Sequence, residues 1–105
     1  MLVELRRYTV VPGKLKDYLT VYKEFGMSPQ RRHIGEPIGY FISEVGTVNQ
    51  VVHLWGYEDY GDRLRRRAAC EADPDWQKYK KMTSEGGFLQ LQESQLLNSA
   101  PWSRI

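Results

Sequence analysis

With 105 residues, 41% of them hydrophobic and 27% charged, the chain has room for one domain around one core, and its composition excludes a disordered or low-complexity protein. A net charge of +2 is too small to point to nucleic acid or a membrane surface, and no apolar run approaches the roughly 20 residues of a membrane span. The single cysteine, Cys70, cannot close an intramolecular disulfide, and Met1 leads directly into a strand pattern instead of a signal or transit peptide, so the expected location is the cytoplasm.

Leu2 to Val10 alternates well enough to be a first strand, with Glu4, Arg6 and Tyr8 on one side and Val3, Leu5 and Thr9 on the other. Pro12-Gly13 ends it. From Lys14, the residues Leu15, Tyr18, Leu19, Tyr22 and Phe25 recur at the spacing of one helix face, and Gly26 stands where a C-terminal glycine belongs. Ser28-Pro29 predicts a short second helical piece to about His33, closed by Gly35-Glu36-Pro37. Ile38 to Val45 and Asn49 to Glu58 read as two strands of an antiparallel hairpin turning at Gly46-Thr47. The second of these is the most informative stretch of the chain. Asn49, Val51, His53, Trp55 and Tyr57 share one of its faces, and Gln50, Val52, Leu54 and Gly56 the other.

After Asp59 a helix carries Tyr60, Leu64, Ala68 and Ala72 on one face, with Asp59/Arg63 and Asp62/Arg66 at the spacing of exposed ion pairs. Asp73-Pro74 predicts a cap and a first helical position, hence a new helix from Asp75 to about Met82 with Trp76 and Tyr79 turned inward. Ser84 to Gly87 reads as a flexible connection, Phe88 to Leu97 as the last strand, and the remainder as a tail containing Trp102. Strand, helix, strand, strand, helix, strand is the order of an α+β, ferredoxin-like βαββαβ unit with a four-stranded antiparallel sheet. Helices on one face of that sheet would leave the other bearing Trp55, Tyr57, Tyr8 and Val51, with Tyr40 or Phe41. An apolar and aromatic surface of that size is expected to be covered by a second copy, giving a homodimeric barrel with a cavity between the sheets and the tail reaching across.

Several segments resemble the NIPSNAP family: Glu4-Leu5-Arg6 with Tyr8-Thr9 and Pro12-Gly13-Lys14, Gly39-Tyr40 with Glu44-Val45-Gly46, and Asn49 through Tyr57. The stretches Arg65-Arg66-Arg67-Ala68 and Ala72-Asp73-Pro74-Asp75-Trp76 extend the likeness over nearly the whole chain, residues 1 to 105, in the family's order. The resemblance implies a dimeric α+β barrel, in the superfamily of antibiotic-biosynthesis monooxygenases, haem-degrading monooxygenases and small isomerases. It implies a compact member without the targeting extension of mitochondrial relatives, and it does not imply a reaction.

His53 is the candidate general acid or base, since an unperturbed imidazole titrates near neutrality; the alternative is a histidine hydrogen-bonded in an interface. Arg6 and Tyr8, with Trp55 and Tyr57, are the candidate substrate-binding residues for a small apolar or anionic ligand, although Arg6 is equally suited to pairing with Glu4 or Glu44. Arg63, Arg65, Arg66 and Arg67 read as a solvated helix face, with no interleaved aromatics to stack nucleic-acid bases. His33 and Glu36 are too few for a metal site, and Cys70 reads as a packed thiol. No Gly-rich phosphate loop, Cys-x-x-Cys or Ser-centred elbow is present, so no cofactor is expected. Cofactor-independent oxygenase or isomerase chemistry, a non-catalytic ligand-binding module and a protein-interaction module all remain open.

Overall fold

Strand β1 spans Leu2–Val10, the computed structural model describing all of residues 1–105. It is followed by helix α1 (Leu15–Val21), a π-helical turn (Tyr22–Gly26), helix α2 (Met27–Ile34), β2 (Gly39–Ile42), β3 (Gln50–Tyr57), α3 (Tyr60–Glu71), α4 (Pro74–Gly86) and β4 (Leu89–Asn98). The four strands form one antiparallel sheet in the order β2-β3-β1-β4, the ferredoxin-like arrangement expected from the element order. No helix is long and apolar enough to cross a membrane.

Two helix boundaries differ from the sequence reading. Gly26 does not end the first helix, because the chain continues through the π turn into α2 and stops only at Gly35. The need for glycine at position 26 is steric: an added Cβ would lie 2.8 Å from the ring of Tyr79 on α4. Ser84 to Gly86 is helical instead of flexible, and α4 ends at Gly87, whose φ of 61° is the left-handed conformation that closes a helix. The other caps follow from sequence. Asp59 accepts from the backbone N–H of Asp62 at 2.8 Å and Asp73 from that of Asp75 at 2.8 Å, with Pro74 in the first turn of α4.

The sheet faces are reversed from expectation. Alternate residues Val51, His53, Trp55 and Tyr57 of β3 are all buried, and together with Glu4, Arg6 and Tyr8 they face the helices. The face without helices carries Val3, Leu5 and Arg7 of β1, Val52 and Leu54 of β3, and, exposed, Phe41, Leu91 and Leu97. Two faces follow from alternation, but which one the helices cover is a property of the chain crossovers, not of strand periodicity.

Helix α3 is also turned from its predicted orientation. Tyr60 and Leu64, at 55% and 50% exposure, point outward, while Asp62, Arg63, Arg66, Arg67 and Cys70 lie on the inner side. A buried carboxylate on β1 attracts the arginine side of this helix, which outweighs the weak pull of a Tyr-Leu-Ala stripe.

Candidate functional site

Glu4 is the electrostatic centre of the covered face. Its side chain has 0% exposure, and four groups converge on it: Arg63 donates from Nε at 3.2 Å and Nη2 at 2.9 Å, Arg6 from Nη1 at 3.0 Å and the Ser94 hydroxyl at 2.6 Å, while Arg67 stands 3.7 Å away. Burial alone would raise the carboxyl pKa, but the hydrogen bonds from Arg63 and Ser94 and the charges of Arg6 and Arg67 hold it down at about 2. Three guanidinium groups around one carboxylate leave this region with an excess of positive charge.

Arg6 joins that centre to a cavity of about 260 Å³ between the sheet and helices α1 to α4. Its Nε donates to the Tyr8 hydroxyl at 2.8 Å while Nη1 engages Glu4, so the guanidinium is fixed at two points. Arg67 and Lys80 also line the cavity, and Lys80 pairs with Glu71 where α3 meets α4. The remaining wall is aromatic. Tyr40 stacks on His53 with ring centroids 4.5 Å apart and planes 5° from parallel, and Tyr22 stacks on Tyr40 at 5.1 Å. Tyr18, Tyr79 and Trp76 complete it from α1 and α4. Burial pushes the hydroxyls of Tyr22, Tyr40 and Tyr79 well above the usual phenol range and that of Tyr18 up to about 12, so these phenols stay protonated near neutrality.

His53 is 1% exposed and lies among these rings. The indole N–H of Trp55 reaches its Nδ1 at 2.6 Å. Indole nitrogen is only a donor, so Nδ1 must carry the lone pair, and in the neutral ring the proton is on Nε2. Burial, reinforced by the nearby charge of Arg6, pulls the imidazole pKa down to about 3 and keeps the ring neutral. Nε2 has no hydrogen-bond partner in the protein.

The predicted residues therefore divide. Arg6, Tyr8 and His53 meet at the cavity; Trp55 stands behind His53 and holds it. Tyr57 lies away from the cavity, packed with Ile34, Trp55 and Cys70 beneath the Arg66 guanidinium, and its hydroxyl has no partner. Elsewhere, His33 Nε2 lies 2.8 Å from Asp73, Glu36 pairs with Arg31, and burial pushes the Cys70 thiol up to about 11. The arginine run is only partly a solvated face: Arg65 is exposed, Arg63 and Arg67 serve Glu4, and Arg66 bonds Asp62 and the Ile34 carbonyl. Glu4, Arg67, Gln30, Tyr18 and Tyr22 were not expected at a site. Their only advance signal was that Glu4, Arg6 and Tyr8 share a strand face.

A family model described as NIPSNAP matches residues 3–104. Among curated proteins, the chain is 42% identical over 77 residues to a NipSnap homolog of Dictyostelium discoideum, covering 70% of this chain and 32% of that protein. It is 30% identical over 103 residues to NipSnap homolog 3B of Mus musculus, covering 97% of this chain and 40% of that one. The chain thus spans well under half the length of these relatives. Among solved structures, it superposes on Atu4242 of Agrobacterium tumefaciens with a TM-score of 0.93 at 33% identity, covering 100% of this chain and 99% of the other. An uncharacterized NIPSNAP-like domain protein from Burkholderia xenovorans gives 0.90 at 38% identity, covering 99% and 89%. An antibiotic biosynthesis monooxygenase gives 0.64 at 16% identity, covering 96% and 100%, a likeness of fold alone.

Proposed function

Since this chain belongs to the NIPSNAP family, we propose that it works as a homodimeric α+β barrel whose protomers each hold a small anionic aromatic or enolic ligand between sheet and helices. The observation that carries this reading is the cavity beside Glu4, where Arg6, Arg67 and Lys80 stand over an aromatic wall. Its volume of about 260 Å³ lies just below the roughly 300–1,000 Å³ of drug-sized pockets, which suits a single-ring molecule. Stacking between tyrosines favours a planar ligand, and the cationic excess favours a carboxylate or other anion on it.

Dimerisation is supported by the helix-free sheet face. Val3, Leu5, Val52, Leu54, Phe41 and Leu97 make it apolar, and the tail with Trp102 borders a groove over Val3, Leu54 and Leu97. In this reading the dimer interface and the ligand site lie on opposite faces of the sheet.

Two kinds of activity suit the pocket: oxygenase or isomerase chemistry through a stabilised enolate, and binding without turnover. The acid or base role for His53 requires a nitrogen that exchanges a proton near neutral pH. With Nδ1 held by Trp55 and the ring neutral, His53 is better suited to donating a hydrogen bond to the ligand. That favours binding, or a reaction whose proton is moved by the ligand itself or by water.

Native mass spectrometry of gently purified protein tests the assembly and any retained ligand together. A dimer is expected, and a monomer overturns the barrel. Thermal unfolding with benzoate and with benzamide tests the charge preference: benzoate should stabilise wild type more than benzamide does, and Arg6→Gln should abolish the difference. Equal effects of the two compounds on wild type overturn the anionic ligand.

A further inference from the structure

Beside the sheet, the cavity is bordered by two donors that have no acceptor in the protein. The acceptor Gln30 Oε1 already receives the Tyr22 hydroxyl at 2.5 Å, and the Glu71 carboxylate receives Lys80 and the Trp76 indole. The donors are less engaged. Arg6 has no acceptor capacity, so its bond to Tyr8 makes the phenol oxygen the acceptor and leaves the Tyr8 O–H free to donate elsewhere. His53 Nε2–H, fixed as the protonated nitrogen by Trp55, has no acceptor. The two rings are in edge contact, with centroids 4.8 Å apart, and both line the cavity.

We propose that Tyr8 and His53 form a two-donor seat for an anionic oxygen, so that the cavity takes a single-ring phenolate or enolate in preference to the protonated phenol or enol. This rests on the reading of the cavity as an anion-binding pocket and adds which oxygen is recognised and by what. Arg6 acts twice, polarising the Tyr8 O–H through Nε and supplying charge nearby, while Glu4 fixes the guanidinium through Nη1. Trp55 is a positioning residue. Without its N–H the imidazole is free to move its proton to Nδ1, which would turn Nε2 from donor into acceptor and set a lone pair against the anion. A phenol that enters protonated must release its proton to solvent, one proton per ligand bound. Lys80, Arg67 and Glu71 are the other charged neighbours at the cavity.

The probe is para-nitrophenol, whose phenolate absorbs visible light and is readily told from the phenol. Bound to wild type, its apparent pKa should fall by one to two units, a roughly tenfold to hundredfold preference for the phenolate, as hydrogen bonds to charged groups contribute more than neutral ones. Tyr8→Phe, which keeps the ring, should lose most of that preference while retaining the benzoate stabilisation supplied by Arg6. Trp55→Phe should lose it as well. Long-range proton–nitrogen NMR reads the His53 tautomer directly, and since the chain has only two histidines, His33→Gln assigns the signals. Protonated Nε2 in wild type is expected. Protonated Nδ1, an unshifted para-nitrophenol pKa, or a shift unchanged in Tyr8→Phe would each overturn the two-donor seat, the last by assigning the shift to Arg6 alone. If benzoate stabilises the protein and para-nitrophenol does not bind, the seat is wrong and the anion pocket stands. If neither binds, the pocket itself is wrong.

Discussion

The two faces of the sheet invert the usual allocation of residues. The face packed against helices holds the buried and half-buried titratable groups Glu4, Arg6, Tyr8 and His53, whereas the face without helices is mostly aliphatic, with Val3, Leu5, Val52 and Leu54 beside the charged Arg7 and Glu93. In a self-sufficient antiparallel layer the aliphatic side would be packed and the charged side wet. The inversion teaches that each face answers a different need. The buried charges are tolerable only because each is matched, Glu4 by three guanidinium groups and a hydroxyl, and they prepare a cavity. The aliphatic face needs another apolar surface, the role proposed above for a second copy.

Breaking the covered face should have the largest effect on stability. Glu4→Gln leaves Arg6, Arg63 and Arg67 around a neutral amide, and urea unfolding should show a loss of about 3–5 kcal/mol, the usual result of removing one partner from a buried ion pair. A loss below 1 kcal/mol would mean that the arginines find water or other partners. On the helix-free face, Leu54→Glu should weaken self-association by about a hundredfold or more, because burying an unpaired carboxylate costs several kcal/mol. Sedimentation velocity would register this as a shift to monomer with far-ultraviolet circular dichroism preserved. An unchanged association would place the interface elsewhere.

Acid sharpens the contrast between the faces, since only the covered one carries groups with strongly shifted pKa values. The His53 pKa falls from 6.5 to about 3 on folding, so from pH 6.5 downward the unfolded chain binds a proton that the folded chain refuses. Stability is full above 6.5 and declines toward pH 3. Glu4, lowered from 4.5 to about 2, adds a loss of the same sign below pH 4.5. His53→Gln should flatten the decline between pH 6.5 and 4.5 and leave the lower part, as read by urea midpoints across the range. The smallest effect belongs to neither face: Lys81→Gln removes an exposed pair with Glu85 at 3.9 Å and should change stability by no more than about 0.5 kcal/mol.

Strands and their order were legible because alternation is clean in Gln50–Tyr57 and partly kept in Leu2–Val10 and Leu89–Asn98. Asp73-Pro74 was legible for a local reason, since cap and first turn are adjacent in the chain. Relations at long range were not. Arg63 looked like the i+4 partner of Asp59, yet it reaches Glu4, 59 positions earlier, while Asp59 turns to its own helix as a cap. The cavity suffered similarly. Tyr18 and Tyr22 have the spacing of a core stripe, and nothing local says that their rings will border a space shared with Tyr40 and His53. The hydrogen bond from Trp55 to His53 spans only two positions, so strand alternation placed the pair together. The identity of the bonded nitrogen, on which the chemistry of the ring depends, is set by the ring's orientation in the folded protein, which strand alternation does not determine.

The π turn between α1 and α2 bears on which changes in chain length this protein can absorb. Tyr22 and Gln30 are eight positions apart and joined by a hydrogen bond. At about 100° per residue, an uninterrupted α-helix would set two such side chains roughly 80° out of phase, and the one extra residue in the wider turn brings them back into line. Deleting one residue from Lys23–Phe25 would let the turn relax to ordinary α geometry with Gln30 still facing Tyr22 and Gly26 still under Tyr79. The same deletion inside α2 would rotate every later side chain of that helix by about 100°. The turn is a place where the gene can lose a codon and keep its pocket.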